Sequence, residues 1–156
     1  MRSIHFDCLR EWLNGKIHFK ESEFVSSYNW KFLECELCKE RFKESYLHKG
    51  RWYQILNYKN PDTKDFIIFE SFTNTPHKTI HVLKVPEHIS QTQKEHSFFV
   101  GWGNDVDMRI TDISVSRLHA TIRYFKGNFY VKDDDAKFGT LTLLWNPISI
   151  QNHESF

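Results

Sequence analysis

The chain has 156 residues, a formal net charge of +1 and 40% apolar residues, which is enough material for one modest domain with a small appendage. This balance excludes a disordered chain, and it argues against nucleic-acid binding, which requires a basic patch. There is no apolar stretch long enough for a membrane span or a secretory signal, so we expect a soluble, intracellular protein, either nuclear or cytoplasmic.

The N-terminal region predicts one short helix followed by irregular chain. Over residues 6–14, Phe6, Leu9 and Leu13 recur at helical spacing and form one apolar face, so the pattern predicts an amphipathic helix over that range. Residues 16–29 are polar, and we expect no regular structure there.

The three cysteines and one histidine form two pairs with the spacing of zinc ligands. His5-x-x-Cys8 is followed, after twenty-six residues, by Cys35-x-x-Cys38. Because the compartment is expected to be reducing, an odd number of cysteines favours metal binding or free thiols over disulfides.

From residue 65 onward, short apolar and β-branched runs alternate with turn signals, and residues 46–64 have the character of a connector. The dipeptide Gly127-Asn128, set between two such runs, predicts a tight hairpin. Short strands at this spacing are typical of an all-β sandwich. The predicted strands cover residues 65–72, 79–85, 96–100, 119–125, 128–133 and 140–145.

Three motifs follow one another in the second half of the chain. Gly101 ends a predicted strand, Ser116-x-x-His119 opens another, and Gly139-Thr140 closes a later loop. In this order, and at these separations, they resemble the forkhead-associated (FHA) domain over residues 65–150. FHA domains are antiparallel β-sandwiches that bind phosphothreonine peptides through loops at one end, so the resemblance implies a phosphothreonine-containing protein or peptide as the partner.

The resemblance also implies roles for individual residues. Ser116 would donate its hydroxyl to a phosphate oxygen, while Arg117 and Lys137 would supply positive charge, and hydrogen bonds to a charged group are the stronger class. The phosphopeptide-binding residues that it implies are Trp102, Ser116, Arg117, Lys137 and Phe138. The residues that shape the loops are Gly101, His119, Gly139 and Thr140.

Three positions depart from the FHA pattern. Trp102 stands where the family has an arginine, Ala136 where it usually has serine, and Phe138 where many members have asparagine. Loss of one hydrogen bond to a charged group costs about 1.5–3 kcal/mol, or about 10- to 100-fold in affinity. An FHA fold that acts as a scaffold independent of phosphate is therefore an alternative.

The cysteine-bearing segment, with Trp12 in the helix and Trp30 before the second cysteine pair, resembles the second half of a RING-variant (RING-CH) zinc domain. Such domains recruit a ubiquitin-conjugating enzyme. The combination with an FHA domain resembles a protist protein type of the ciliates. A further alternative, in a different class, is therefore a RING-CH-type ubiquitin ligase.

The ligand set for zinc is incomplete. The RING-variant arrangement holds two interleaved zinc ions with four ligands each, which would assign His5 and Cys8 to one ion and Cys35 and Cys38 to the other. The four residues could regroup around a single zinc, the segment could be a metal-free remnant packed on the sandwich, or the chain could be the truncated start of a longer protein. Without zinc, we expect residues 1–45 to be loosely held.

Together these features predict a mainly β protein. A small, incomplete RING-CH-like α+β zinc segment with one short helix would span residues 1–45, a connector 46–64, and an FHA-type antiparallel sandwich 65–156, which normally has further strands after the segment near Trp145. We predict no catalytic residues. Ser116 and His119 lack a nucleophile elbow, and the acidic run Asp133–Asp135 is typical of a solvated turn.

Overall fold

A computed structural model describes residues 5–56, 61–72, 76–92 and 94–143 of the chain. It divides into two compact units, unit 1 (residues 1–96 with 124–128) and unit 2 (residues 97–123 with 129–156). In chain order the helices and strands are α1 (Phe6–Asn14), β1 (His18–Glu21), β2 (Val25–Lys31), β3 (Ser45–His48), β4 (Arg51–Gln54), β5 (Asp65–Glu70), β6 (His77–Val85), α2 (Glu87–Ser90), β7 (His96–Gly101), β8 (Met108–Arg109), β9 (Ala120–Phe125) and β10 (Asn128–Asp133).

The first sheet has the strand order β1-β2-β6-β5, and its strands are antiparallel. β2 pairs with β6 along its whole length, from Val25 opposite Leu83 to Lys31 opposite His77. The expectation of irregular structure over residues 16–29 is therefore wrong. The strand was missed for a physical reason. Its side chains alternate with the period of two that a strand requires, but serine and asparagine occupy some of the positions, and a pattern of apolar residues alone does not reveal such a strand.

An apolar core in unit 1 holds the N-terminal helix against this sheet. Leu13 of α1 and Trp30 of β2 are 0% and 2% exposed, because both lie in one buried cluster with residues from β6 and from the chain after β4. The cluster comprises Leu13, Tyr28, Trp30, Leu33, Ile55, Leu56, Ile80 and Val82. Hydrophobic burial therefore anchors α1 and β2, and the expectation that residues 1–45 are loosely held without zinc stays a prediction.

The predicted connector over residues 46–64 contains regular structure. β3 and β4 form a two-stranded antiparallel hairpin in which His48 lies opposite Arg51. The chain leaving β4 then buries Ile55 and Leu56, which are 0% and 1% exposed. This segment consequently contributes to the core of unit 1 rather than merely joining two parts of the chain.

The second sheet has the strand order β10-β9-β7-β8 and contains three of the six predicted strands. β10 matches its predicted range, and β7 and β9 differ from theirs by one residue at one end. The turn between β9 and β10 is formed by Lys126 and Gly127, whose φ angles are 49° and 79°, which is one residue earlier than predicted. Positive φ at both central residues identifies a type I′ hairpin. The fold is therefore mainly β with few helices, as predicted, and its strand pairs are antiparallel apart from the parallel pair β7–β8.

The domain limits predicted near residues 45 and 65 stay a prediction, and both positions lie inside unit 1 of the structure. Hydrogen bonds between β2 and β6 cross both predicted limits, near residues 45 and 65, and the main division between the units falls between His96 and Ser97. Residues 5–45 contain α1, β1, β2 and an isolated bridge between Glu34 and Arg41, and the described chain does not show a RING-CH-like zinc segment there.

The C-terminal end is only partly described. In the predicted strand over residues 140–145, residues 140–143 are not in a strand, and the remainder lies outside the described residues. The question of further FHA strands after Trp145 also falls outside them. None of the helices within the described ranges is long and apolar enough to cross a membrane.

Because Leu13 is fully buried in the shared core, Leu13→Ala should lower the free energy of unfolding by about 2–5 kcal/mol. Equilibrium unfolding in urea, followed by tryptophan fluorescence, measures this change. Leu37→Ala is the matched control, since Leu37 is 94% exposed and its truncation should have little effect. Equal stability of the Leu13→Ala variant and the parent chain would contradict a core that includes α1.

Candidate functional site

The residues singled out by the FHA resemblance lie in unit 2, where the turn that follows β7 runs beside the loop that precedes β9. The backbone N–H of Trp102 donates to the carbonyl of Ser116 at 2.9 Å, and that of Gly103 donates to the carbonyl of Arg117 at 2.9 Å. These two bonds hold the turn and the loop together as a short ladder. We call residues 101–107 the Gly101 turn and residues 110–119 the Ser116 loop.

Gly101 is required by this close approach. A Cβ atom at position 101 would lie 2.1 Å from the carbonyl oxygen of Arg117, a distance that no side chain can occupy, and one at Gly103 would lie 2.9 Å from the same atom. The absence of a side chain at Gly101 therefore lets the two backbones come within hydrogen-bonding distance.

The Ser116 loop is shaped by hydrogen bonds between its own residues. At its end nearest β9, the backbone N–H of Ser116 donates to Nδ1 of His119 at 3.1 Å, which requires that nitrogen to be unprotonated. In its middle, Asp112 accepts bonds from the hydroxyl of Ser114 at 2.6 Å and from its backbone N–H at 2.8 Å. These two bonds hold the pKa of Asp112 below its ordinary value.

A second loop, residues 134–140, reaches Ser116 itself through a backbone N–H group. The backbone N–H of Lys137 donates to Oγ of Ser116 at 3.0 Å. We call residues 134–140 the Lys137 loop. A hydroxyl has one donor hydrogen and two acceptor lone pairs, so accepting this bond leaves the Ser116 O–H able to donate.

The Lys137 loop is closed by a carboxylate that the sequence analysis read only as part of a solvated turn. Asp133 accepts a bond from the hydroxyl of Thr140 at 2.7 Å and one from the N–H of Ala136 at 3.2 Å. The Thr140 hydroxyl is the main cause that lowers the pKa of Asp133. Gly139 completes the turn with a φ of 68°, in the left-handed region that favours glycine.

Asp134 ties the same loop to the start of β9. Its backbone N–H donates to the carbonyl of His119 at 3.0 Å, and its carboxylate accepts a bond from the hydroxyl of Thr121. The Ser116 loop and the Lys137 loop are therefore connected on both sides of His119.

Two of the residues that depart from the FHA pattern are exposed aromatic side chains with a cation nearby. Trp102 is 47% exposed, and the guanidinium of Arg109 lies 5.6 Å from its ring centroid. Phe138 is 61% exposed, and Nζ of Lys137 lies 5.2 Å from its ring centroid. Arg109 is not predictable as a site residue from the sequence, because nothing in its spacing relative to Trp102 indicates the contact.

The four predicted metal ligands lie in two places, a turn that contains Cys35 and Cys38 and the start of α1. Cys35 and Cys38 share one tight turn, in which the backbone N–H of Cys35 donates to the carbonyl of Glu40 at 2.8 Å and Lys39 has a φ of 60°. Backbone N–H groups of Cys38 and Leu37 hydrogen-bond to the Cys35 sulfur and lower the pKa of its thiol.

The other two predicted ligands lie at α1, on its exposed side. His5 precedes α1 and is exposed, and Cys8 is exposed beside Trp12 and Lys16. Within the described ranges, no three His, Cys, Asp or Glu side chains are grouped as a metal ion would need. A zinc site at His5, Cys8, Cys35 and Cys38 therefore stays a prediction.

Comparison with known protein families identifies one match in the same part of the chain. The sequence model of the FHA domain family matches residues 98–152, which is 55 of the 156 residues. The matched range contains the Gly101 turn, the Ser116 loop and the Lys137 loop, and it supports an FHA domain at these residues. Neither a curated protein nor a solved structure shows significant similarity to the chain.

Gly101→Ala should disrupt unit 2, because the added methyl group would collide with the Arg117 carbonyl and force the Gly101 turn away from the Ser116 loop. We expect the free energy of unfolding to fall by more than about 3 kcal/mol, which is a large loss for a single substitution. Thermal unfolding measures it. Gly127→Ala is a milder comparison, since a Cβ atom at Gly127 would meet nothing within 4 Å and only the φ of 79° opposes the change. Unchanged stability of Gly101→Ala would contradict the close approach.

The zinc prediction is tested by metal analysis of the purified chain. Regrouping of His5, Cys8, Cys35 and Cys38 around one ion would give one zinc per chain, lost in Cys35→Ser and in Cys8→Ser. If Cys35→Ser loses the zinc and Cys8→Ser retains it, the metal is bound at the turn that contains Cys35 and Cys38. A purified chain without zinc would contradict the prediction.

Proposed function

We propose that unit 2 binds phosphothreonine-containing peptides or proteins through the Ser116 loop and the Lys137 loop. The FHA match supports a phosphopeptide-recognition module that acts in protein–protein interaction. The observation that carries the proposal is the bond from the Lys137 backbone N–H to the Ser116 hydroxyl, because it positions a hydroxyl donor where two loops meet, each of which carries an exposed cationic residue.

The Ser116 hydroxyl is oriented before any ligand arrives. Its oxygen already accepts a hydrogen bond from one loop, while the Ser116 backbone N–H is engaged by His119. The remaining hydrogen of the hydroxyl can donate to a phosphate oxygen, which is a strong acceptor because a phosphothreonine carries about −1.5 to −2 charges at neutral pH. A donor fixed in this way loses less conformational freedom on binding.

Positive charge is available on both sides of this hydroxyl. Arg117 follows Ser116 directly and Lys137 contacts it through its backbone, and both side chains are exposed. The carboxylates of Asp112 and Asp133 accept bonds from groups of their own loops. Those two acidic groups therefore shape the loops, while the exposed cations are placed to attract a phosphate dianion.

A scaffold that binds its partner without phosphate is the second candidate. Trp102 and Phe138 are 47% and 61% exposed at the two loops, and large exposed aromatic side chains are enriched at protein interfaces. The two candidates make opposite predictions about phosphate dependence. Recruitment of a ubiquitin-conjugating enzyme, implied by the RING-variant resemblance, stays a separate prediction, and our proposal does not depend on it.

Ser116→Ala should weaken phosphothreonine binding about 10- to 100-fold, because it removes a hydrogen bond to a charged group. The measurement starts from an array of matched phosphorylated and unphosphorylated threonine peptides. Calorimetry with the phosphorylated peptide that binds most tightly then gives Kd for the parent chain and for Ser116→Ala. Ser90→Ala is the matched control, since the Ser90 hydroxyl donates only to the carbonyl of Glu87 in α2. Equal binding of the two peptide sets would favour the scaffold, and unchanged affinity of Ser116→Ala would remove the hydroxyl from the site.

A further inference from the structure

We propose that Arg109 supplies the phosphate site with a guanidinium, which the residue after Gly101 does not provide. This inference rests on the proposed function and identifies one more ligand-binding residue in it. The residue that follows Gly101 is Trp102, which cannot donate to phosphate through a cationic side chain. Arg109 lies in β8, seven residues further along the chain.

Strand pairing brings Arg109 to the Gly101 turn. β7 and β8 pair in parallel, and the residue opposite Arg109 is Gly101 itself. The backbone N–H of Ile110 donates to the Gly101 carbonyl at 2.9 Å, which fixes the backbone of β8 at this point. Arg109 is therefore held directly beside the turn that pairs with the Ser116 loop.

The side chain of Arg109 is oriented by Trp102. Its Nε–H donates to the Trp102 carbonyl at 3.2 Å, and its guanidinium lies 5.6 Å from the indole centroid. That distance is within the range of a cation–π contact. The N–H of the same Trp102 donates to the Ser116 carbonyl, so one residue connects the guanidinium to the loop that carries the hydroxyl.

The chemistry of the guanidinium suits a phosphate dianion. A guanidinium has five N–H donors, and the contact with Trp102 uses only the one on Nε. Arg109 is exposed and forms no ion pair with any residue in the part of the chain that the structure describes. Its two terminal nitrogens can therefore bind a phosphate oxygen pair in the bidentate manner for which arginine is suited.

Arg109→Gln tests this proposal, because it removes the charge and the planar fork while it retains a polar side chain. We expect Kd for the selected phosphothreonine peptide to rise about 10- to 100-fold, with no change for the unphosphorylated peptide. Arg109→Lys keeps the charge without the fork and should give a smaller rise. Arg51→Gln, at an exposed arginine of β4, is the matched control and should bind like the parent chain.

A second arm moves the guanidinium to the neighbouring position. Trp102→Arg introduced into Arg109→Gln should restore at least part of the lost affinity, because the new guanidinium starts from the residue that Arg109 contacts. Thermal unfolding of each variant shows whether it is folded, and a loss of affinity in a variant as stable as the parent chain supports the proposal.

The outcomes separate this inference from the function on which it rests. If Ser116→Ala loses binding and Arg109→Gln does not, the phosphopeptide function stands and the role of Arg109 is overturned. If the parent chain binds phosphorylated and unphosphorylated peptides equally, both fall.

Discussion

The candidate site depends on the close approach of two backbones, at Gly101 to Gly103 and at Ser116 to Arg117. Because Gly101 has no side chain, N–H groups of the first segment reach carbonyl groups of the second at 2.9 Å. The hydroxyl of Ser116 then lies where the backbone of Lys137 can donate to it. All other features of the site, from the orientation of His119 to the closure of the Lys137 loop, act on a framework that this approach establishes.

The strands of the second sheet were predictable because their information is local. Alternating apolar residues and turn dipeptides mark β7, β9 and β10, and local alternation follows directly from strand geometry. β1 and β2 were missed because serine, asparagine and lysine occupy five of their eleven positions. The partner of β2 is β6, more than fifty residues away for Ser27 and His81, and such a pairing leaves no signal in the sequence around either strand.

The site shows the same division between local and distant information. Ser116, His119 and Lys137 could be identified because the FHA motifs occur in a fixed order along the chain. Arg109 could not, since its contact with the Trp102 carbonyl is created by the pairing of β7 with β8. The cysteines are the converse case. Their spacing predicted zinc ligands, which stays a prediction. In the structure Cys35 and Cys38 share one tight turn, whereas burial of Leu13 orients α1 so that Cys8 is exposed.

The strand order of the first sheet bears on how the chain could be divided in the laboratory. The family match covers residues 98–152, so a fragment that starts after residue 45 retains the whole matched range. However, β2 lies between β1 and β6, so such a fragment would lose an internal strand and leave a row of unsatisfied N–H and C=O groups along β6. Bare edges of this kind invite pairing between chains. The N-terminal residues therefore cover this edge, and a fragment that contains β6 has to retain them.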